Sequence, residues 1–159
     1  MFTGLVEEVG IITNHINTKD GIEIEINANI IMEDLKVNDS ISCSGICLTV
    51  TSINDSNFKV QIVEETLSRT TAGTWQVGTK INLERSLLPS SRMGGHFVQG
   101  HVDRVIKLIK IIPGQDSAVW HFAQTSDIDK YIVEKGSICL DGISLTIALK
   151  EKEYFSVAL

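Results

Sequence analysis

Apolar and polar residues alternate with a period of two along much of this chain. Ile22-Glu23-Ile24-Glu25-Ile26-Asn27 alternates strictly, as a strand with one buried face does. Residues 41–43, 47–53, 58–63 and 80–84 are rich in β-branched and apolar side chains, with turn residues between them. Such runs read as successive strands. Asn54-Asp55-Ser56-Asn57 is the turn between two of them, and Lys150-Glu151-Lys152-Glu153 holds the matching place further on. Two short helices are expected, over 29–34 and 126–134, the second with Ser126 and Asp127 as capping residues. Short strands at close spacing without long amphipathic helices predict an all-β protein of small barrels or sandwiches.

The pattern is written twice. Ser44-Gly45-Ile46-Cys47-Leu48-Thr49-Val50 returns as Asp141-Gly142-Ile143-Ser144-Leu145-Thr146-Ile147, at an offset of 97 residues. Ser40-Ile41 and Phe58-Lys59-Val60 realign at the same offset with Ser137-Ile138 and Phe155-Ser156-Val157. Gly4-Leu5-Val6-Glu7 matches Gly100-His101-Val102-Asp103 at an offset of 96. A solenoid would repeat every 20–50 residues or so, so this is one domain used twice. We expect domains at 1–88 and 95–159, with a linker at 89–94 that opens on Pro89 and runs into Gly94-Gly95. The second copy stops at Leu159, which aligns with Ile62, so its last strand and the preceding turn are expected to be missing. Two copies of one domain imply two like ligand sites.

Composition narrows the function. The net charge is −6, which leaves no electrostatic footprint for nucleic acid or an anionic membrane. Arg104, Lys107 and Lys110 form only a sparse basic cluster, read as a solvated face. No apolar run approaches the ~20 residues of a membrane span, and Met1-Phe2-Thr3-Gly4 does not open a secretory signal. Three cysteines in apolar runs (Cys43, Cys47 and Cys139) suit free buried thiols in a reducing cytoplasm. Their spacing completes no zinc-ligand set. There is no phosphate-cradling loop and no nucleophile elbow.

The candidates for chemistry lie in the repeated segments. Residues two apart on a strand share a face. Cys47 with Thr49, and Ser144 with Thr146, therefore each form a small polar pair fit to hydrogen-bond the edge of a flat heterocycle. Thr is common in strands for other reasons; recurrence after Gly in both copies is what singles these out. His101 stands where the first copy has Leu5, and imidazole can act as acid or base near neutral pH. His15 and His121 are read as surface residues. Glu64-Glu65-Thr66 begins a turn, and Lys135 sits in a turn within reach of a ligand oxygen.

At these residues the chain resembles the riboflavin synthase family. The resemblance covers nearly the whole chain and includes Met1-Phe2-Thr3-Gly4-Leu5-Val6-Glu7, Glu65-Thr66-Leu67-Ser68-Arg69-Thr70, Gly94-Gly95-His96-Phe97-Val98-Gln99-Gly100-His101-Val102-Asp103 and Lys135-Gly136-Ser137, besides the repeated strands. It implies two tandem six-stranded Greek-key β-barrels, the second incomplete in this chain, each binding one 6,7-dimethyl-8-ribityllumazine. It implies a disproportionation of two such molecules into riboflavin and a ribitylamino-pyrimidinedione, without cofactor or metal. It further implies a homotrimer with active sites between subunits, and association with lumazine synthase. Carried over by motif, the first site would use Gly4, Leu5, Val6, Cys47, Leu48, Thr49, Gln61, Ile62, Val63, Glu64, Glu65 and Thr66. The second would use Gly100, His101, Val102, Lys135, Ser144, Leu145 and Thr146. In this reading His101 works with Ser144 and Thr146 on the C7 methyl proton of one lumazine, and Cys47 or a water beside it adds to C7 of the other. The alternative is a non-catalytic lumazine- or flavin-binding antenna protein of the same superfamily.

Overall fold

A computed structural model describes residues 1–159. The first half forms β1 (Glu8–Thr18), β2 (Gly21–Asn27), β3 (Ser40–Cys43), β4 (Ile46–Asn54), β5 (Asn57–Val63) and β6 (Lys80–Arg85), with the short helix α1 (Glu64–Arg69) after β5. These strands close into a barrel in the order β1-β2-β5-β4-β3-β6. The second half forms β7 (Leu108–Pro113), β8 (Ala118–Ala123), β9 (Ser137–Leu140), β10 (Ile143–Lys150) and β11 (Tyr154–Ala158). They make one open sheet in the order β7-β8-β11-β10-β9. That is the order of the barrel without a partner for β6. Where two tandem barrels were expected, the second incomplete, the structure has one closed barrel and one open five-stranded sheet.

The strand periodicity explains the barrel core. Ile22, Ile24 and Ile26 of β2 are all buried, while Glu23 and Glu25 face outward, Glu23 meeting Lys59 at 2.9 Å. Ile81 and Leu83 of β6 are fully buried because β6 pairs with both β1 and β3 and so shuts the barrel. Nineteen buried residues form this core, against five in the second half. In the open sheet β7 and β9 are both edges, and Trp120, Phe122, Ile138 and Leu140 are only partly covered. Each fully buried aliphatic contributes about 1.5–3 kcal/mol, so the closed barrel supplies most of the packing energy.

One strand escapes the sequence pattern and one local expectation fails. In β1 apolar and polar residues do not alternate, because Val9 and Ile11 are apolar yet exposed and a bulge falls between Ile12 and Asn14. The expected helices shrink to single 3₁₀ turns, Ile31–Glu33 and Asp129–Tyr131. Ser126 and Asp127 do not cap the second: its N-cap is Ile128, without a side-chain cap, and the Asp127 carboxylate instead takes Thr125 Oγ1 and Arg104.

The leading segment is tied to the barrel by a buried carboxylate. Glu84, on β6, accepts from Thr3 N–H and Thr3 Oγ1 at 2.6 Å each and from Gly4 N–H at 2.9 Å. Phe2 then bridges antiparallel to Val98. Removing the carboxylate would leave buried donors unpaired, a loss of about 3 kcal/mol. Glu84→Ala should therefore lower the free energy of urea unfolding by that amount, read as a lower midpoint at unchanged slope, with Glu84→Gln intermediate, because the amide accepts through one oxygen only. We also expect residues 1–88 alone to unfold cooperatively and residues 95–159 alone to lack dispersed amide resonances. A well-dispersed NMR spectrum from the second fragment would contradict this division of stability.

Candidate functional site

On β4 the side chains alternate cleanly. Ile46, Leu48 and Val50 enter the barrel core, while Cys47 is half-buried and Thr49 exposed on the outer face. On β10, Ile147 is buried, Ser144 half-buried and Thr146 exposed. The two small polar pairs therefore stand at matching places, pointing away from their own cores. The same alternation turns part of the expected set inward. Leu48 and Ile62 lie within the barrel core, and Leu145 packs against the second core, so their side chains are spent on packing. Gln61 and Val63 face outward on β5.

Neighbouring strands part at these pairs. β4 is matched with β5 only from Val50 onward, and β10 with β11 only from Ile147 onward. At each parted stretch the chain's other half supplies a main-chain partner. Cys47 N–H donates to the Gly100 carbonyl at 2.8 Å, and Ser144 N–H donates to the Gly4 carbonyl at 2.7 Å. Only glycine suits these places. A Cβ on Gly4 would lie 2.7 Å from Ser144 Cβ, one on Gly100 would lie 2.6 Å from Cys47 Cβ, and both have φ near +80°. The turns behind them also meet: a Cβ on Gly45 would lie 2.8 Å from Gly142 N, and one on Gly142 would lie 2.9 Å from Gly45 N.

This exchange differs from the grouping expected within each copy. Gly100 sits on Cys47, and Val102 packs against the first barrel's core, so the segment that carries His101 runs along the first barrel. Gly4 sits on Ser144 and so joins the second site, with Leu5 exposed beside Gly94 and Val6 half-buried. Segment and strand were matched within each copy; nothing in local periodicity shows that the copies trade their leading segments.

The remaining expected residues lie further out. Glu64, Glu65 and Thr66 form the start of α1, where Glu65 pairs with Arg69 and the Thr66 carbonyl accepts from Thr70 Oγ1. Lys135 is exposed in a left-handed turn at φ 64°, its N–H donating to Ile147 O at 2.8 Å. A cavity of about 620 Å³ opens beside the second leading segment, lined by His101, Val102, Ile106, Phe122, Ile132 and Phe155. It follows the inner face of the open sheet rather than the outward Ser144–Thr146 pair. One residue missed by the sequence reading stands in the site: His96 Nδ1 lies 2.7 Å from Ser144 Oγ. No cluster of three or more His, Cys, Asp or Glu side chains is placed to hold a metal ion. No helix is long and apolar enough to cross a membrane.

The three thiols are free but unequal. Burial holds the Cys43 thiol far above its ordinary range, and burial pushes Cys139 up to about 11. At pH 8 a thiol of that pKa is only about 0.1% thiolate, the reactive form. Cys47 is half-exposed on the outer face. Iodoacetamide at pH 8 should therefore label Cys47 first in the native protein, and all three cysteines in urea. Peptide mass spectrometry showing Cys139 labelled as fast as Cys47 would contradict the burial.

The comparisons with known proteins agree on a family. The lumazine binding domain family matches residues 3–86 and 99–159. The chain is 38% identical over 159 residues to a riboflavin synthase of Actinobacillus pleuropneumoniae, spanning all of this chain and 74% of that protein. It is 42% identical over 161 residues to a riboflavin synthase of Schizosaccharomyces pombe, spanning all of this chain and 77% of that protein. The crystal structure of LumP complexed with riboflavin has the same fold, with a TM-score of 0.90 at 23% identity over 99% of this chain and 86% of that one. With identity of this level along its full length, the chain belongs to the riboflavin synthase family of enzymes.

Proposed function

We propose that the chain acts as a riboflavin synthase, with one 6,7-dimethyl-8-ribityllumazine held at each of two matched sites, one per domain at 1–88 and 95–159. The observation that carries this reading is the reciprocal geometry: a small polar pair on an outward strand face, at a parted strand, capped by a glycine carbonyl from the other half. Cys47, Thr49 and His101 would line the first site, and Ser144 and Thr146 the second. The parted strands leave main-chain groups for the polar edge of a flat ring, and the hydroxyls and thiol add donors and acceptors beside it.

The chemistry asks for little beyond this. The C7 methyl of the lumazine is acidic for a C–H bond, because its carbanion delocalises into the ring. Loss of that proton makes one molecule a carbon nucleophile, and addition at C7 makes the other an electrophile. Transfer of a four-carbon unit then yields riboflavin and 5-amino-6-(D-ribitylamino)uracil, so the atoms of two substrates are conserved in two products. Holding the two rings face to face turns an encounter of two molecules into an oriented one, an advantage of up to about 7–11 kcal/mol. His101, next in sequence to the Gly100 that caps Cys47, is the group suited to move the methyl proton. Both sites of one chain face outward, which suits a homotrimer in which the rings that react are held by different subunits.

The antenna alternative is the weaker reading. The relatives at 38–42% identity are named as synthases, while the likeness to LumP at 23% identity is one of fold.

Incubation with 6,7-dimethyl-8-ribityllumazine, followed by riboflavin absorbance and fluorescence, tests the proposal. Riboflavin should form in a one-to-one ratio with the diaminouracil product. Tight binding with no riboflavin would instead favour an antenna. His101→Gln should lower kcat by about 100-fold or more, as expected for a lost acid–base group, while lumazine affinity changes by no more than about twofold. Equal losses in both would remove the catalytic role of His101.

A further inference from the structure

Cys47 and Ser144 occupy matching strand positions and carry matching main-chain caps, yet their side chains are held differently. Cys47 makes no side-chain hydrogen bond, whereas Ser144 Oγ lies 2.7 Å from His96 Nδ1. His96 is half-buried and fixed at its backbone, its N–H donating to the Thr3 carbonyl at 3.1 Å. Thr3 is in turn clamped by the buried carboxylate of Glu84. Gly95 leaves no room for slack: a Cβ there would lie 2.1 Å from the Thr3 carbonyl and 3.0 Å from Ser144 Cβ. The imidazole therefore meets the hydroxyl from a backbone pinned on both sides.

We propose that His96 is a positioning residue that fixes the direction of the Ser144 hydroxyl and so makes the second site unequal to the first. A free serine hydroxyl rotates among staggered positions and offers its proton or its lone pairs without preference. Bound to one imidazole nitrogen, it presents one defined role toward the ligand. Two identical molecules must play different parts in a disproportionation, one giving and one receiving the four-carbon unit. A hydroxyl held by His96 on one side and an unheld thiol on the other supply that difference within a single chain. This deepens the reading under Proposed function and rests on it for its kinetic consequence.

The contact and the consequence are separable by experiment. A long-range ¹H–¹⁵N spectrum of the imidazoles reports tautomer and hydrogen bonding, since the bond made by one ring nitrogen sets the state of the other. Of the four histidines, the one lost in His96→Asn identifies the signal. Ser144→Ala should move that signal and leave the other three in place; an unmoved signal would overturn the contact. In the riboflavin assay, His96→Phe and Ser144→Ala should each lower kcat about 10- to 100-fold, with KM within about twofold. The double variant should be no slower than Ser144→Ala alone. His96→Asn, whose amide can reach the Nδ1 position, should restore most of the rate, and urea unfolding should rank the variants differently from kcat. Losses that multiply in the double variant, or a His96→Phe enzyme of full rate, would overturn the proposal. If the wild-type chain makes no riboflavin, the synthase reading fails, and the imidazole spectrum still decides whether His96 orients Ser144.

Discussion

The molecule is organised by an exchange. Each half sends its leading segment across to the other, and each segment ends in a glycine carbonyl that completes a strand the host half leaves unpaired. Two main-chain hydrogen bonds are modest alone, about 1 kcal/mol each. Their force comes from what they prevent. Without them the parted stretches of β4 and β10 would present unsatisfied donors beside a packed interface. The glycines are fixed by the same demand, since the carbonyl must come closer than any side chain permits.

The exchange also explains how stability is shared. The closed barrel holds the large core, and its last strand carries Glu84, which grips the segment that caps the other half. The open sheet contributes a small core and two free edges. The second half is therefore held in shape partly by residues that belong to the first. The polar pair on its outer face inherits rigidity from a buried carboxylate on the barrel's last strand, through Thr3 and Gly4.

Much of this is legible in the sequence alone. Strict alternation in 22–27 placed β2 and its core face, and the spacing of turns placed β3 to β6 within a residue or so. The pairs Cys47–Thr49 and Ser144–Thr146 stood out because a two-residue period fixes which side chains share a face. What stayed hidden was non-local. β1 was invisible because a bulge and two exposed apolar residues break its period. The helix over 126–134 was expected from Ser126 and Asp127 as capping residues, but the chain spends those residues on a tight connection between β8 and β9. The pairing of Gly4 with Ser144 and of Gly100 with Cys47 depends on how two halves pack. His96 carried no signal beyond its place after two glycines.

The contact between Gly45 and Gly142 has a mechanical meaning. Backbone meets backbone there, at the turns behind the two caps. Neither turn can gain a side chain without pushing the halves apart, so a methyl group at either glycine would disturb the seat of both caps at once.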